Sequence, residues 1–144
     1  MKVDYSIRPA KSIERKMLAE TLQRLWRLDR LDQYRYVGFG SAYFTDFTLL
    51  HKTLGINEMI SIEKDIGDQK RYEFNRPFAC ISLAFGNSHE VLPLLEWDGK
   101  KSIVWLDYED SLNKQKLDDI ECVCTEAEPG SVLVVTVNAS PGGA

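Results

Sequence analysis

The chain has 144 residues, 44% of them apolar, a net charge of −4 and a mean hydropathy of −0.28. That is enough for a single domain with a buried core, and no biased tract argues for disorder. No apolar run approaches the roughly 18 residues that span a bilayer, and "MKVDYSIRPAK" lacks an apolar signal stretch, so a cytoplasmic protein without membrane contact is expected.

Three cysteines, with Cys122 and Cys124 close together in a helical stretch, read as structural thiols and suggest neither a disulfide framework nor a zinc site. Charge is uneven: residues 1–36 hold nine Lys or Arg against five acids, and residues 37–144 hold nine against seventeen. A basic head can meet nucleic acid or phosphate. The solvated face of a helix is the favoured explanation, and nucleic acid is not the favoured partner.

In chain order, Arg8-Pro9 precedes a helix that Ser12 caps, with Ile13, Met17, Leu18, Leu22, Leu25 and Trp26 on its covering face. "RYVGF" is a strand. The next helix carries Tyr43, Phe47, Leu50 and Leu54 on one side until Gly55 stops it. "MISIE" is the second strand, followed by a polar helix from about Ile66 to Asn75. "FACISLAF" is a continuous apolar run suited to a strand buried on both faces. "GNSHEVLPLLEW" supplies a loop and short helix. "SIVWLDYED" is the fourth strand with an acidic end, where Asp110 can cap a helix that sets Leu117, Ile120, Cys124 and Ala127 on one side. "SVLVVTVN" is the fifth strand.

Strands alternating with helices predict an α/β fold, a three-layer α/β/α sandwich around a mainly parallel sheet, preceded by an N-terminal helix. One domain over 1–144 is expected, with a helical segment over 1–33 and a βα core over 34–144. In such sheets ligands lie outside the carboxyl ends of the strands. Those ends carry Gly38-Phe39-Gly40-Ser41, Glu63-Lys64-Asp65, Gly86-Asn87-Ser88, Asp107-Tyr108-Glu109-Asp110 and Asn138-Ala139-Ser140.

The five stations fit a nucleoside-containing ligand. Gly38 and Gly40 let backbone approach it, and amides at the start of the next helix, from Ser41 on, can donate to it. Tyr43 stands where a dinucleotide fingerprint has its third glycine. Glu63 lies 23 residues past Gly40, where a carboxylate can accept both ribose hydroxyls. The long helix before the first strand and the acids after the fourth favour a methyl donor over nicotinamide.

On these segments the chain resembles the class I S-adenosylmethionine-dependent methyltransferases, which are Rossmann-like. "YVGFGS" is similar to their glycine motif, "SIEKD" to the ribose-binding strand end, "GNSHEVLPLL" to the adenine border and "WLDYED" to the catalytic-side motif. The resemblance implies S-adenosylmethionine as cofactor, with Gly38 and Gly40 against its methionine part, Glu63 on the ribose and Asn87 or Ser88 at the adenine. Asp107 would face the substrate. "GNSHEVLP" is similar to the small-molecule O-methyltransferases, whose metal-dependent members use an Asp-Asn pair after the fifth strand. Here Asn138 is followed by Ala139, so no metal is expected.

The family's usual acid before the glycine motif is missing from Arg35, Tyr36 and Val37, and Asp46 or the N-terminal segment is the substitute. Asp107 or Glu109 can take the proton of a hydroxyl acceptor, whose identity the residues do not give. A nucleotide- or NAD-binding protein and a non-catalytic cofactor-binding module are the alternatives. The family's sheet continues beyond a fifth strand. The uncharged "SVLVVTV" near the end is therefore expected either to be followed by more chain in a longer protein or to be covered by a second copy in a homodimer.

Overall fold

The computed structural model describes residues 8–140. The residues before Arg8, part of the basic head and of the N-terminal segment weighed as a substitute acid, lie outside the described residues, as do 141–144 at the end of "NASPGGA". The β-branched and aromatic runs form β1 (Arg35–Gly38), β2 (Glu58–Glu63), β3 (Ile81–Phe85), β4 (Ser102–Asp107) and β5 (Val132–Thr136). Their order is β3-β2-β1-β4-β5, and every pairing is parallel. Helix α1 (Pro9–Gln23) precedes the sheet, while α2 (Thr45–Leu54), α3 (Gln69–Asn75), α4 (Ser88–Val91) and α5 (Lys114–Glu126) connect successive strands.

The strands send alternate side chains to opposite faces, so the sheet divides the core in two. On one face Tyr36, Met59, Ile81, Ile103 and Trp105 pack against Ala19 and Leu22 of α1, Phe47, Leu50 and Leu54 of α2, and Tyr72 of α3. On the other, Val37, Ile62, Val104 and Leu106 pack against Val91, Leu92, Trp97 and Val123. This is the three-layer parallel α/β fold expected. Central β1 is buried throughout. Strand β3 departs from expectation: it is a sheet edge, with Ile81 buried and Ser82 exposed, because no strand covers its far side among the described residues.

Both long amphipathic helices are rotated from the expected face, keeping Leu18 and Leu22 of α1 and Ile120 of α5 against the core but not all of their apolar residues. In α1, Ile13 is 59% exposed and Met17 63%, whereas Arg15, Ala19 and Leu22 are buried. The reason is electrostatic: Arg15 turns in to pair with Asp46 of α2, and this sets the helix's rotation. In α5, Lys116, Asp119 and Val123 are buried while Leu117 is 50% exposed and Cys124 exposed. Capping shifts as well. Pro9 opens α1 at its first turn, leaving Ser12 inside the helix, and Asn113 rather than Asp110 caps α5 by accepting from the Lys116 amide at 3.0 Å.

Tyr36 is 1% exposed, and its hydroxyl has no hydrogen-bond partner among the described residues. Burial, reinforced by Asp46 and Asp107, holds this phenol well above its ordinary pKa. A buried hydroxyl without a partner costs about 1–3 kcal/mol. Tyr36→Phe is therefore expected to raise the unliganded chain's stability by roughly 1 kcal/mol. Urea denaturation checks this, and a lower midpoint would mean that the hydroxyl has a partner after all.

Candidate functional site

The sheet order reverses between β1 and β4, and the strand ends there frame a cleft of about 930 Å³. That is the place and size of a small-molecule site in such a fold. Arg15 and Lys11 from α1, Asp46 from α2, Glu63, Asn87 and Ser88 beyond β2 and β3, and Asp107 and Glu109 from the end of β4 all line it. The structure thus gathers Ser41, Glu63, Asn87, Ser88, Asp107 and Glu109 around one cavity, while Gly38 and Gly40 are not part of its lining.

The glycines answer first to the protein's own side chains. A Cβ on Gly38 would fall 2.5 Å from the Tyr36 hydroxyl, two residues earlier on the same face. A Cβ on Gly40 would overlap the Ser61 hydroxyl and lie 2.7 Å from Glu63 Oε1 and 2.9 Å from Phe44. Left-handed backbone falls instead on Ser41 (φ 53°) and Phe44 (φ 51°). A non-glycine residue in that region costs roughly 1–2 kcal/mol. Full burial of Phe44 against Phe47 and Tyr72, ring centroids 5.8 and 6.4 Å apart, offsets it, since burying a Phe contributes about 1.5–3 kcal/mol.

Glu63 is 5% exposed and accepts from Ser61 Oγ at 2.7 Å. The Tyr72 hydroxyl hydrogen-bonds to the same carboxylate, and burial together with that carboxylate pushes the phenol up to about 12. A carboxylate has about four acceptor positions, enough for Ser61, Tyr72 and two ribose hydroxyls. Glu63 is therefore a fixed acceptor facing the cleft, not an exposed strand-end charge.

Beyond β3, Asn87 precedes α4 and its backbone amide donates to Glu90 at 3.1 Å. Ser88 Oγ donates to Asp119 Oδ2 at 2.6 Å, and the Tyr108 hydroxyl donates to the same oxygen at 2.6 Å. Asp119, 2% exposed, so ties the loop after β3 to the loop after β4. Burial first, then Asp119, raises the Tyr108 phenol far above its ordinary value. Tyr108 also faces Phe39, centroids 5.5 Å apart. Neither Tyr108 nor Asp119 stands out in the sequence; the trace was Asp119 at helical spacing between Lys116 and Val123. Asp119→Ala strands two hydroxyls, so a loss of about 2–3 kcal/mol is expected, with Asp119→Asn losing less. Urea midpoints of the two variants check it, and equal midpoints would count against the network.

At the β1/β4 side, Lys11 Nζ lies 2.7 and 2.6 Å from the two Asp107 oxygens and 5.1 Å above the Trp105 ring. Asp107 is thus an ion-paired group at the cleft wall, its carboxyl raised by burial against the opposing pull of Lys11. Glu109 is exposed at the rim. Arg15 Nε pairs with Asp46 Oδ1, and burial raises the Asp46 carboxyl against the pull of that guanidinium. Among the described residues no three His, Cys, Asp or Glu side chains converge so as to hold a metal ion, and no helix is long and apolar enough to cross a membrane.

The fold is a parallel α/β sheet with a buried acid at the end of its second strand and a cleft at its switch point, the place where ligands lie in sheets of this class. Residues 3–144 match the family described as "Putative O-methyltransferase", and the chain belongs to that family. Solved structures agree on the fold. A "putative sarcosine dimethylglycine methyltransferase" from Galdieria sulphuraria is 19% identical over 88% of this chain and 47% of its own, with a TM-score of 0.65. The O-methyltransferase TomG from Streptomyces achromogenes, in complex with SAM, is 21% identical over 81% of this chain and 54% of its own, TM-score 0.54. Cofactor-bound Rv0187 from MTB is 14% identical over 90% and 56%, TM-score 0.56. The chain therefore spans about half the length of these structures. No curated protein matches it.

Proposed function

We propose that the chain carries the cofactor site of an S-adenosylmethionine-dependent methyltransferase acting on an oxygen acceptor. The observation that carries this reading is Glu63, buried at the end of β2, bonded to Ser61 and facing the cleft. The residues present fit the cofactor. Glu63 would receive the ribose hydroxyls, Asn87 and the Ser88 loop would border the base, and Ser41 would lie against the remainder, with Gly38 and Gly40 leaving room behind it for Tyr36, Ser61 and Glu63. The family supports the reaction, and the SAM-bound neighbour TomG supports the cofactor.

Once bound, the cofactor supplies a methyl group on a sulfonium, already activated for transfer. The chain's task is then mainly to hold the acceptor in line, and positioning of that kind is worth roughly 7–11 kcal/mol. Asp107, at the cleft wall with its carboxyl raised by burial, is placed to receive a hydroxyl proton, a contribution of about 10²- to 10⁴-fold. Its ion pair with Lys11 must then open or share the site with the acceptor. Glu109, exposed at the rim, stands as the second candidate base.

Isothermal titration with S-adenosylhomocysteine and with NAD tests the cofactor. Micromolar binding of the first and none of the second is expected; the reverse would reject the proposal.

A further inference from the structure

Strand β3 lies at one edge of the sheet, and its register against β2 fixes which backbone groups face inward. The Met59 amide donates to the Cys80 carbonyl at 3.0 Å and the Gly86 amide to the Glu63 carbonyl at 2.9 Å, so the even-numbered residues between them turn to β2. Ile81, Leu83 and Phe85 turn outward. Ile81 is already closed: its amide donates to the Phe78 carbonyl, and its own carbonyl accepts from Arg76 Nη1 at 3.0 Å. Leu83 and Phe85 each leave an N–H and a C=O without a hydrogen-bond partner among the described residues. Proteins guard such an edge with charge, proline, a bulge or a covering segment. From Pro77 to Ser88 the sequence carries no charge, and Arg76 with Pro77 guards only the start of the strand.

Two open donors and two open acceptors, on residues two apart, are complementary to themselves. Facing residues of an antiparallel pair exchange both of their bonds, so Leu83 of one copy facing Phe85 of another, and the reverse, closes every open group on both edges. The twofold axis then passes at Ala84, the non-hydrogen-bonded position where Cα atoms approach to about 4.5 Å and a small side chain fits. The same symmetry brings the start of one edge, where Arg76 holds Ile81, to the end of the other, where Glu90 accepts from the Asn87 amide with its side chain 59% exposed. Opposite charges therefore meet at each end. Helix α3 packs on the sheet face of Phe85, with the Tyr72 and Phe85 centroids 6.3 Å apart, so joining the sheets adds Phe74 of α3, 89% exposed, to the apolar surface on that side. We propose that β3 is a homodimer interface: two copies of this chain pair antiparallel through Leu83 and Phe85 about an axis at Ala84, joining their sheets into one. A second copy fits better than a foreign strand because the bond pattern, the small central residue and the charges all obey a single twofold axis. The pairing does not depend on what the cleft holds.

Sedimentation velocity of the unmodified chain from about 1 to 100 µM should show a monomer–dimer equilibrium. Leu83→Pro removes an outward N–H at a position where an edge strand tolerates proline, and should weaken dimerisation at least about tenfold, with urea denaturation to show that the variant is folded. Ala84→Cys tests the axis without blocking the edge. Mild oxidation should link position 84 to position 84 of a second copy, read by mass spectrometry of the joined peptide. Val135→Cys on β5, 37% exposed, probes the opposite edge under the same conditions and should stay unlinked. If Leu83→Pro does not fold, the position-84 link decides. A chain that stays monomeric throughout, a dimer as tight in folded Leu83→Pro as in the parent, or a link through position 135 in place of 84 would overturn the β3 interface.

Discussion

Gly40→Ala is expected to cost about 1–3 kcal/mol of stability and at least tenfold in affinity for S-adenosylhomocysteine. The added methyl meets three groups at once: the Ser61 hydroxyl, Glu63 Oε1 at 2.7 Å and Phe44 at 2.9 Å. Ser61 and Glu63 are themselves hydrogen-bonded at 2.7 Å, so neither can yield without disturbing the other. Phe44 is fully buried in a left-handed turn and is no freer to move. Relief must come from pushing Glu63 out of position, which couples the stability loss to the binding loss. Adding Ser61→Ala removes the closest atom and should restore part of both, a non-additivity that a double-mutant cycle reads directly. Melting and titration of the four proteins check it. A Gly40→Ala chain that binds as tightly as the parent would show that the strand end is softer than its packing implies.

Glu63→Gln is expected to weaken S-adenosylhomocysteine binding by about 1.5–3 kcal/mol, that is, by ten- to a hundred-and-fifty-fold, with little change in stability. The amide keeps an oxygen that can accept from Ser61 and gains an NH2 that can donate to the Tyr72 hydroxyl, so both internal partners can stay paired. What it loses is the second anionic oxygen and the charge that strengthens bonds to ribose hydroxyls. The Tyr72 phenol offers an independent readout. The Glu63 carboxylate helps to push that phenol up to about 12, so removing the charge should let it ionise at lower pH. An unchanged dissociation constant together with a lowered Tyr72 pKa would show that Glu63 faces its own hydroxyl neighbours and not a ligand.

The fold was legible in the sequence because it is written in local terms. β-branched runs such as "MISIE" and "SIVWLD" alternate with helical spacing, short links join them, and a parallel sheet with helices on both faces is the arrangement that buries both kinds of surface. Glu63, Asn87, Ser88 and Asp107 could be chosen for the same reason: they end strands, and a parallel sheet places its strand ends together. Gly55 as the helix stop, now in a left-handed C-cap at φ 70°, is another local signal read correctly.

What the tertiary structure alone decided is how each helix is rotated and what each polar group meets. Apolar spacing put Ile13 and Met17 on the inner face of α1, but the chain buries Arg15 there because Asp46 of α2, 31 residues away, is its partner. Asp119, looking like one more surface acid in the sequence, becomes the shared acceptor of Ser88 and Tyr108 through contacts 31 and 11 residues distant. Even Gly38 and Gly40, conspicuous in the sequence, owe their missing side chains to Tyr36 on the same strand and to Ser61 and Glu63 on the next. Periodicity reports how much apolar surface an element must hide. Which charge is worth burying depends on a partner that only the folded chain brings within reach, and the cleft of this protein is built from such pairs.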